Sequence, residues 1–227
     1  MKRYLLCALS LGALSSFAER STLLFNADWR FQKDPTNSLN ASVADFNDAA
    51  WARVSLPHDW AIAGPFNPTA DGGTGKLPWQ GVGWYRKHLA LAAADAGKHV
   101  YLDFDGVMAS PQVFINGQKA GGWDYGYMGF RIDATPFVAF GKDNVVAVKA
   151  DTRNHHSRWY PGAGIYRKVT LTLCDPVHVV HQATVVTTPA VSAGRAEVRV
   201  ATAVTNALAT PAEISVTLSL LAPNGKT

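Results

Sequence analysis

The sequence predicts an all-β protein: an antiparallel jelly-roll β-sandwich over residues 19–175, followed by an incomplete second β-sandwich over residues 176–227. Three observations carry this. Short apolar–polar alternations recur along the chain, as in His99-Val100-Tyr101-Leu102-Asp103-Phe104, where Val100, Leu102 and Phe104 share one face. Asn116-Gly117 joins two extended segments in the dipeptide that suits a type I′ hairpin, whose two central residues both need positive φ. Helical periodicity is scarce; residues 43–51 and 90–97 are at most short helical turns.

Taken in order, residues 1–18 read as an export signal. Lys2 and Arg3 precede an apolar run from Tyr4 to Ala13 that is too short to span a bilayer, and Ser16-Phe17-Ala18 places small residues for cleavage after Ala18. From Phe25 onward strands dominate: residues 99–104, 112–115, 144–150 and 169–173. The composition changes at Cys174-Asp175-Pro176, after which no Trp or Tyr occurs. Residues 179–180, 184–188, 196–204 and 213–221 read as further β-branched strands, with turns at Asn206 and Pro223-Asn224-Gly225. That part resembles an immunoglobulin-like sandwich, which takes about 100 residues and roughly seven strands. Only 51 residues follow Pro176, so the second domain is expected to be incomplete here.

Charge and cysteine content exclude several classes. The formal net charge is +4 over 227 residues. Without residues 1–18 the chain carries 19 basic and 17 acidic side chains, scattered rather than clustered, so no nucleic-acid footprint is present. No later stretch is long and apolar enough for a membrane span. Cys174 would be the only cysteine left, so stability must come from a packed core rather than a disulfide. His155-His156 lacks a partner at ligand spacing, and no metal or other cofactor is expected.

The most informative segment is Ser157-Arg158-Trp159-Tyr160-Pro161-Gly162-Ala163-Gly164-Ile165-Tyr166-Arg167. A loop this rich in aromatics and arginine must pack against something, and sugars suit it: their C–H faces stack on rings while polar side chains bind their hydroxyls. It resembles the SRWYPGxGIYR signature of glycoside hydrolase family 2, the β-galactosidase, β-glucuronidase and β-mannosidase family, and most closely that of secreted bacterial β-galactosidases. Further blocks stand in that family's order: Asp28-Trp29-Arg30-Phe31, Leu56-Pro57-His58-Asp59-Trp60, Gly83-Trp84-Tyr85-Arg86-Lys87, Phe104-Asp105-Gly106-Val107 and Gly126-Tyr127-Met128-Gly129-Phe130. Trp29, Phe31, Trp51, Trp84 and Tyr85 suit core positions, and Arg86 is expected to pair with a buried acid, for which Asp105 is the candidate. His58 and Asp59 are adjacent on an extended segment and point to opposite sides, which favours a structural loop over joint catalysis.

The resemblance implies an exported, retaining glycosidase whose two catalytic glutamates lie on a later (β/α)₈ barrel. Residues 19–227 contain three glutamates, Glu19, Glu197 and Glu213, none in a family catalytic motif. The chain alone is therefore expected to be inactive and to hold no catalytic residue. The family's jelly roll lends loops to the sugar site, which implies substrate-binding candidates on two segments, residues 77–83 (Trp79, Gln80) and 151–160 (Asp151, Asn154, Arg158, Trp159). Some family members carry an acid just before this tryptophan; Ser157 and Arg158 stand there instead, with Asp151 or Asn154 as replacements. The other reading of Arg158 and Tyr160 is an interdomain strut. Expected partners are a β-galactoside or related sugar and the catalytic barrel of the same polypeptide; nucleic acid and membrane are not expected, and the full enzyme could be a homo-oligomer. The alternative function is a free-standing, non-catalytic carbohydrate-binding module.

Overall fold

The computed structural model describes residues 19–221; the expected signal sequence and the Pro223-Asn224-Gly225 turn lie outside them. Fourteen strands follow in order: β1 (Arg20–Leu24), β2 (Trp29–Lys33), β3 (Ala52–Val54), β4 (Val82–Ala90), β5 (His99–Phe104), β6 (Gln112–Ile115), β7 (Gln118–Gly122), β8 (Phe130–Asp133), β9 (Asp143–Asp151), β10 (Val169–Cys174), β11 (Val177–Val179), β12 (Val185–Val191), β13 (Ala196–Ala201) and β14 (Val204–Asn206). The first ten build an antiparallel jelly-roll sandwich from a four-stranded sheet, β1-β10-β5-β8, and a six-stranded sheet, β3-β2-β4-β9-β6-β7.

Alternation sets the core. Val100, Leu102 and Phe104 of β5 and Val169, Leu171 and Leu173 of β10 turn inward and are buried. They meet Tyr85, Val146, Val148 and Ala150 from the facing sheet. Trp29 lies at the centre, edge-on to Phe25 and Tyr85, and its indole N–H is satisfied by the Phe25 carbonyl at 2.7 Å. Asn116 (φ 50°) and Gly117 (φ 84°) form the expected two-residue turn between β6 and β7. The Asn116 side chain also accepts from Val145 N and donates to Asn144 Oδ1, so one residue makes the turn and ties it to β9.

The long central strands β4 and β9 are buried on both faces. Residues 34–51 fold over the outer face of the six-stranded sheet, where Ala41, Trp51, Val82, Trp84 and Ala147 form a second apolar cluster. Asp34 organises the start of this cover: its carboxylate accepts from Ser38 N, Leu39 N and the Trp84 indole. Arg86 lies on the covered face, and its partner is therefore Asp48 at 2.8 Å rather than Asp105. The expected pairing fails because Asp105 follows β5 in the opposite sheet, where it lies in the open 3.6 Å from Lys168. Residues 93–95 form a single 3₁₀ turn, and residues 43–51 form turns without a helix.

Beyond Cys174, β11 pairs with β14 and β12 pairs with β13, as two separate two-stranded sheets. Residues 196–204, expected as one strand, split after Ala201 because their two ends pair with different partners. Residues 213–221, also expected as a strand, pair with no strand among the described residues. Ile214, Val216, Leu218 and Leu220 keep their period-2 alternation but are exposed. Alternation specifies a strand only where a neighbouring edge accepts its hydrogen bonds.

Candidate functional site

The Arg/Trp/Tyr segment is chiefly a frame. Gly164 and Met108 exchange backbone hydrogen bonds of 2.7 and 2.9 Å. On the other side His58 N donates to the Ile165 carbonyl and Trp60 N to the Ala163 carbonyl. Residues 163–165 are thus held between two other segments, and Ala163 and Ile165 are fully buried. Tyr160 donates its hydroxyl to the Asp59 carboxylate at 2.7–2.8 Å, and Tyr166 donates to the Gly126 carbonyl at 2.9 Å. Burial first, and the Asp59 carboxylate second, push the Tyr160 hydroxyl far above the usual phenol range. His58 and Asp59 face different partners, as their adjacency on an extended segment requires: Asp59 meets Tyr160, and His58 Nδ1 lies 2.8 Å from the Tyr85 hydroxyl.

His58 is half-buried, and that burial lowers its pKa, opposed by the nearby Asp59 charge. A folded-state pKa below the unfolded value of about 6.5 means the unfolded chain takes up the proton first as pH falls. The contribution of His58 to stability is therefore complete above about pH 6.5 and is lost below it. Melting temperature measured between pH 7.5 and 5 is expected to fall, and His58→Gln is expected to flatten that fall; an unchanged slope in the variant would assign the pH dependence elsewhere.

Behind this frame the two predicted loops meet. Val82 at the start of β4 pairs with Asp151 at the end of β9, so the chain entering β4 and the chain leaving β9 lie side by side. Thr152 locks them: its hydroxyl donates to the Trp79 carbonyl at 2.9 Å and accepts from Gly81 N at 3.0 Å. Between the loops lies a cleft of about 590 Å³, lined by Trp79 and Gln80 on one side and by His155, His156, Ser157 and Arg158 on the other. Asn67, Asp71 and Thr74 close it from a third segment. There Asp71 accepts from Gly73 N, and Gly73 packs so tightly on the Arg158 carbonyl that a Cβ would lie 2.4 Å from it.

The structure therefore brings Trp79, Gln80 and Arg158 together and leaves Asp151, Asn154 and Trp159 outside the lining. Arg153 binds the Asp151 carboxylate at 2.7 Å and holds its pKa below the usual carboxylate range. Trp159 is 65% exposed, with the Arg158 guanidinium 5.0 Å from its ring centre. Trp79 is only 6% exposed and meets His155 edge-on at 6.0 Å, so it presents a rim rather than an open face. Sequence reasoning missed the 67–74 segment, although Asn67-Pro68 and Asp71-Gly72-Gly73 are plain turn signals there. It also missed an exposed aromatic loop, where Tyr125 and Tyr127 pack on each other at 5.6 Å and Tyr127 reaches His155 at 6.5 Å.

Chemically, the cleft offers amides, imidazoles, two hydroxyls, a guanidinium and the one carboxylate of Asp71 among its lining residues. This set suits hydrogen bonding to a polyhydroxylated ligand. Retaining glycoside hydrolysis needs a pair of carboxylates about 5–5.5 Å apart, and the cleft lining does not supply that pair.

The sequence profile described as "Glycosyl hydrolases family 2, sugar binding domain" matches residues 24–174. The chain is 44% identical over 223 residues to the β-galactosidase BoGH2A of Bacteroides ovatus, covering 96% of this chain and 26% of that protein. It is 36% identical to a β-glucuronidase of Formosa agariphila over 71% of this chain and 18% of that protein. Among solved structures, a β-glycosidase from Bacteroides vulgatus superposes with a TM-score of 0.79 at 29% identity, covering 91% of this chain and 27% of that one. The chain spans about a quarter or less of the length of these curated relatives.

Proposed function

Since the chain belongs to glycoside hydrolase family 2, through its sugar-binding domain, we propose that it is the N-terminal part of an exported β-galactosidase-like enzyme that hydrolyses terminal β-glycosides. In this reading residues 19–175 shape one side of the sugar site, and the catalytic carboxylates come from a barrel elsewhere in the same polypeptide. The observation that supports it most is the meeting of Trp79, Gln80 and Arg158 around one polar cleft. Residues 176–227 would then begin an immunoglobulin-like domain, which accounts for the exposed alternating face of Ile214, Val216, Leu218 and Leu220. Lys2-Arg3, the apolar run and Ser16-Phe17-Ala18 support export. One observation favours a second reading, a non-catalytic carbohydrate-binding module: the cleft lining carries a single carboxylate, Asp71, among groups suited to binding a sugar.

One experiment separates the readings. Protein exported by the source cells is weighed intact, sequenced from its N-terminus and assayed on an aryl β-galactoside, beside a recombinant chain of residues 19–227. The expected result is an N-terminus at Glu19, a mass well beyond that of the recombinant chain, turnover by the exported protein only, and loss of most of that turnover in Arg158→Ala. A natural chain ending at Thr227 that binds galactose supports the module instead. Turnover by the recombinant chain alone would sink both.

A further inference from the structure

A second cleft of about 590 Å³ lies on the outer face of the four-stranded sheet and shares no lining residue with the first. The pairing register explains its floor. Thr22 of β1 stands opposite Thr172 of β10, and Thr170, Asp103 and Arg131 stand in line across β10, β5 and β8. Such a face would ordinarily be an open polar surface. Here it is made concave by two flanking segments. Arg20 donates to the Val179 carbonyl, and His178 packs on His99 and Tyr101 with ring centres 5.7 and 6.0 Å away, which folds the chain after β11 over one end. His181 and Gln182 thereby form one wall, and Met128 to Phe130 form another.

The charges in this cleft do not cancel. Asp103 is committed to Arg131 through two bonds of 2.7 and 2.8 Å. Lys168 and Asp105 are 3.6 Å apart and both well exposed, a pair too screened to count as neutralised. Arg20 bonds a carbonyl and Cys174 Sγ, with no carboxylate partner among the described residues. With Arg20, Arg131 and Lys168 set against Asp103 and Asp105, the cleft joins one net positive charge, centred on Arg20, to a row of threonine hydroxyls and the acceptor oxygens of Asp103. It also has one apolar edge, the exposed side chain of Met128. Hydroxyls and an acceptor for a polyol, an apolar edge for a C–H face, and a cationic excess for an anion together describe one ligand class.

We infer that this outer sheet face is a second saccharide site, selective for a sugar that carries a carboxylate. The sugar's carboxylate meets Arg20 and Lys168, its hydroxyls meet Thr22, Thr170 and Asp103, and its C–H face lies along Met128. The site serves to hold an acidic glycan on the protein, apart from the cleft assigned to the terminal sugar.

The test titrates the purified chain with trigalacturonate and, separately, with neutral galactotriose and inorganic phosphate, following ¹H–¹⁵N chemical shifts. The expected result is saturable binding of trigalacturonate, with shifts at Thr22, Thr170 and Met128, weakened roughly tenfold by Lys168→Gln or by a rise from 50 to 300 mM salt. Thr170→Val provides a second variant at a surface position. Arg158→Ala leaves this binding intact, which separates the site from the first cleft. Equal binding of galactotriose, equal binding of phosphate alone, no binding, or loss of binding in Arg158→Ala each overturns the proposal.

Discussion

Arg86→Met is expected to destabilise the sandwich by about 3–5 kcal/mol, the range seen when one partner of a buried ion pair is removed. For a domain of this size that lowers the melting temperature by on the order of 10 °C. Arg86 is 1% exposed, and its guanidinium fills every donor position it has. Nε binds Asp48 at 2.8 Å, Nη1 binds the Ala41 and Val43 carbonyls, and Nη2 binds the Ala44 and Phe46 carbonyls. One side chain thus satisfies a buried carboxylate and four backbone acceptors of the segment that covers the six-stranded sheet. Methionine matches its bulk and leaves the Asp48 carboxylate and the Ala41, Ala44 and Phe46 carbonyls without the guanidinium, while Val43 keeps the Phe46 N–H at 3.4 Å, and each buried acceptor left unmade costs about 1–3 kcal/mol before relaxation. The cover can relax by detaching, which caps the total but exposes Trp84 and Trp51. Thermal melts and tryptophan fluorescence read the two effects together. Arg86→Lys is expected to fall between wild type and Arg86→Met, because an ammonium keeps the charge and loses the planar fork. A loss below about 1 kcal/mol in Arg86→Met would show that the cover is held by its apolar contacts alone.

The Arg86 pairing also marks where sequence reading stops. That the arginine needs a buried acid followed from its place in a strand of aromatics. Which acid could not follow, because Asp48 reaches it through an irregular segment with no period to count. Local patterns were legible: the alternation of β5, the Asn116-Gly117 turn and the loss of aromatics after Cys174 are each set by neighbours in the chain. Half of the candidate cleft was legible for a related reason. Trp79-Gln80 and Arg158 flank the paired ends of β4 and β9, so finding those strands places the loops together. Asp71 and Asn67 arrive on an irregular segment that packs through Gly73 on the Arg158 carbonyl, a contact no spacing rule encodes. The strand expected over residues 213–221 failed differently: its pattern is correct for a strand, but strand formation depends on an edge that the pattern does not contain.

Gly164→Ala is expected to cost about 3 kcal/mol or more and to loosen the candidate cleft from behind. Two independent effects coincide. Gly164 has φ +108°, a conformation that a residue with a Cβ rarely adopts. The added Cβ would also lie 2.1 Å from the Tyr85 hydroxyl and 3.0 Å from the His58 carbonyl. The hydroxyl cannot retreat freely, since it is bonded to His58 Nδ1 at 2.8 Å and Tyr85 is fully buried. Either the segment of residues 163–165 moves or the tyrosine does, and both carry the frame from which Arg158 projects. A double-mutant cycle with Tyr85→Phe separates the causes. Removing the hydroxyl takes away the tightest contact and leaves the backbone strain, so the double variant is expected to be less destabilised than the sum of the singles by about 1–2 kcal/mol. Urea unfolding of the four proteins measures this directly. Additive losses would mean that backbone strain alone sets the requirement for glycine, and that the Tyr85–His58 pair has room to move.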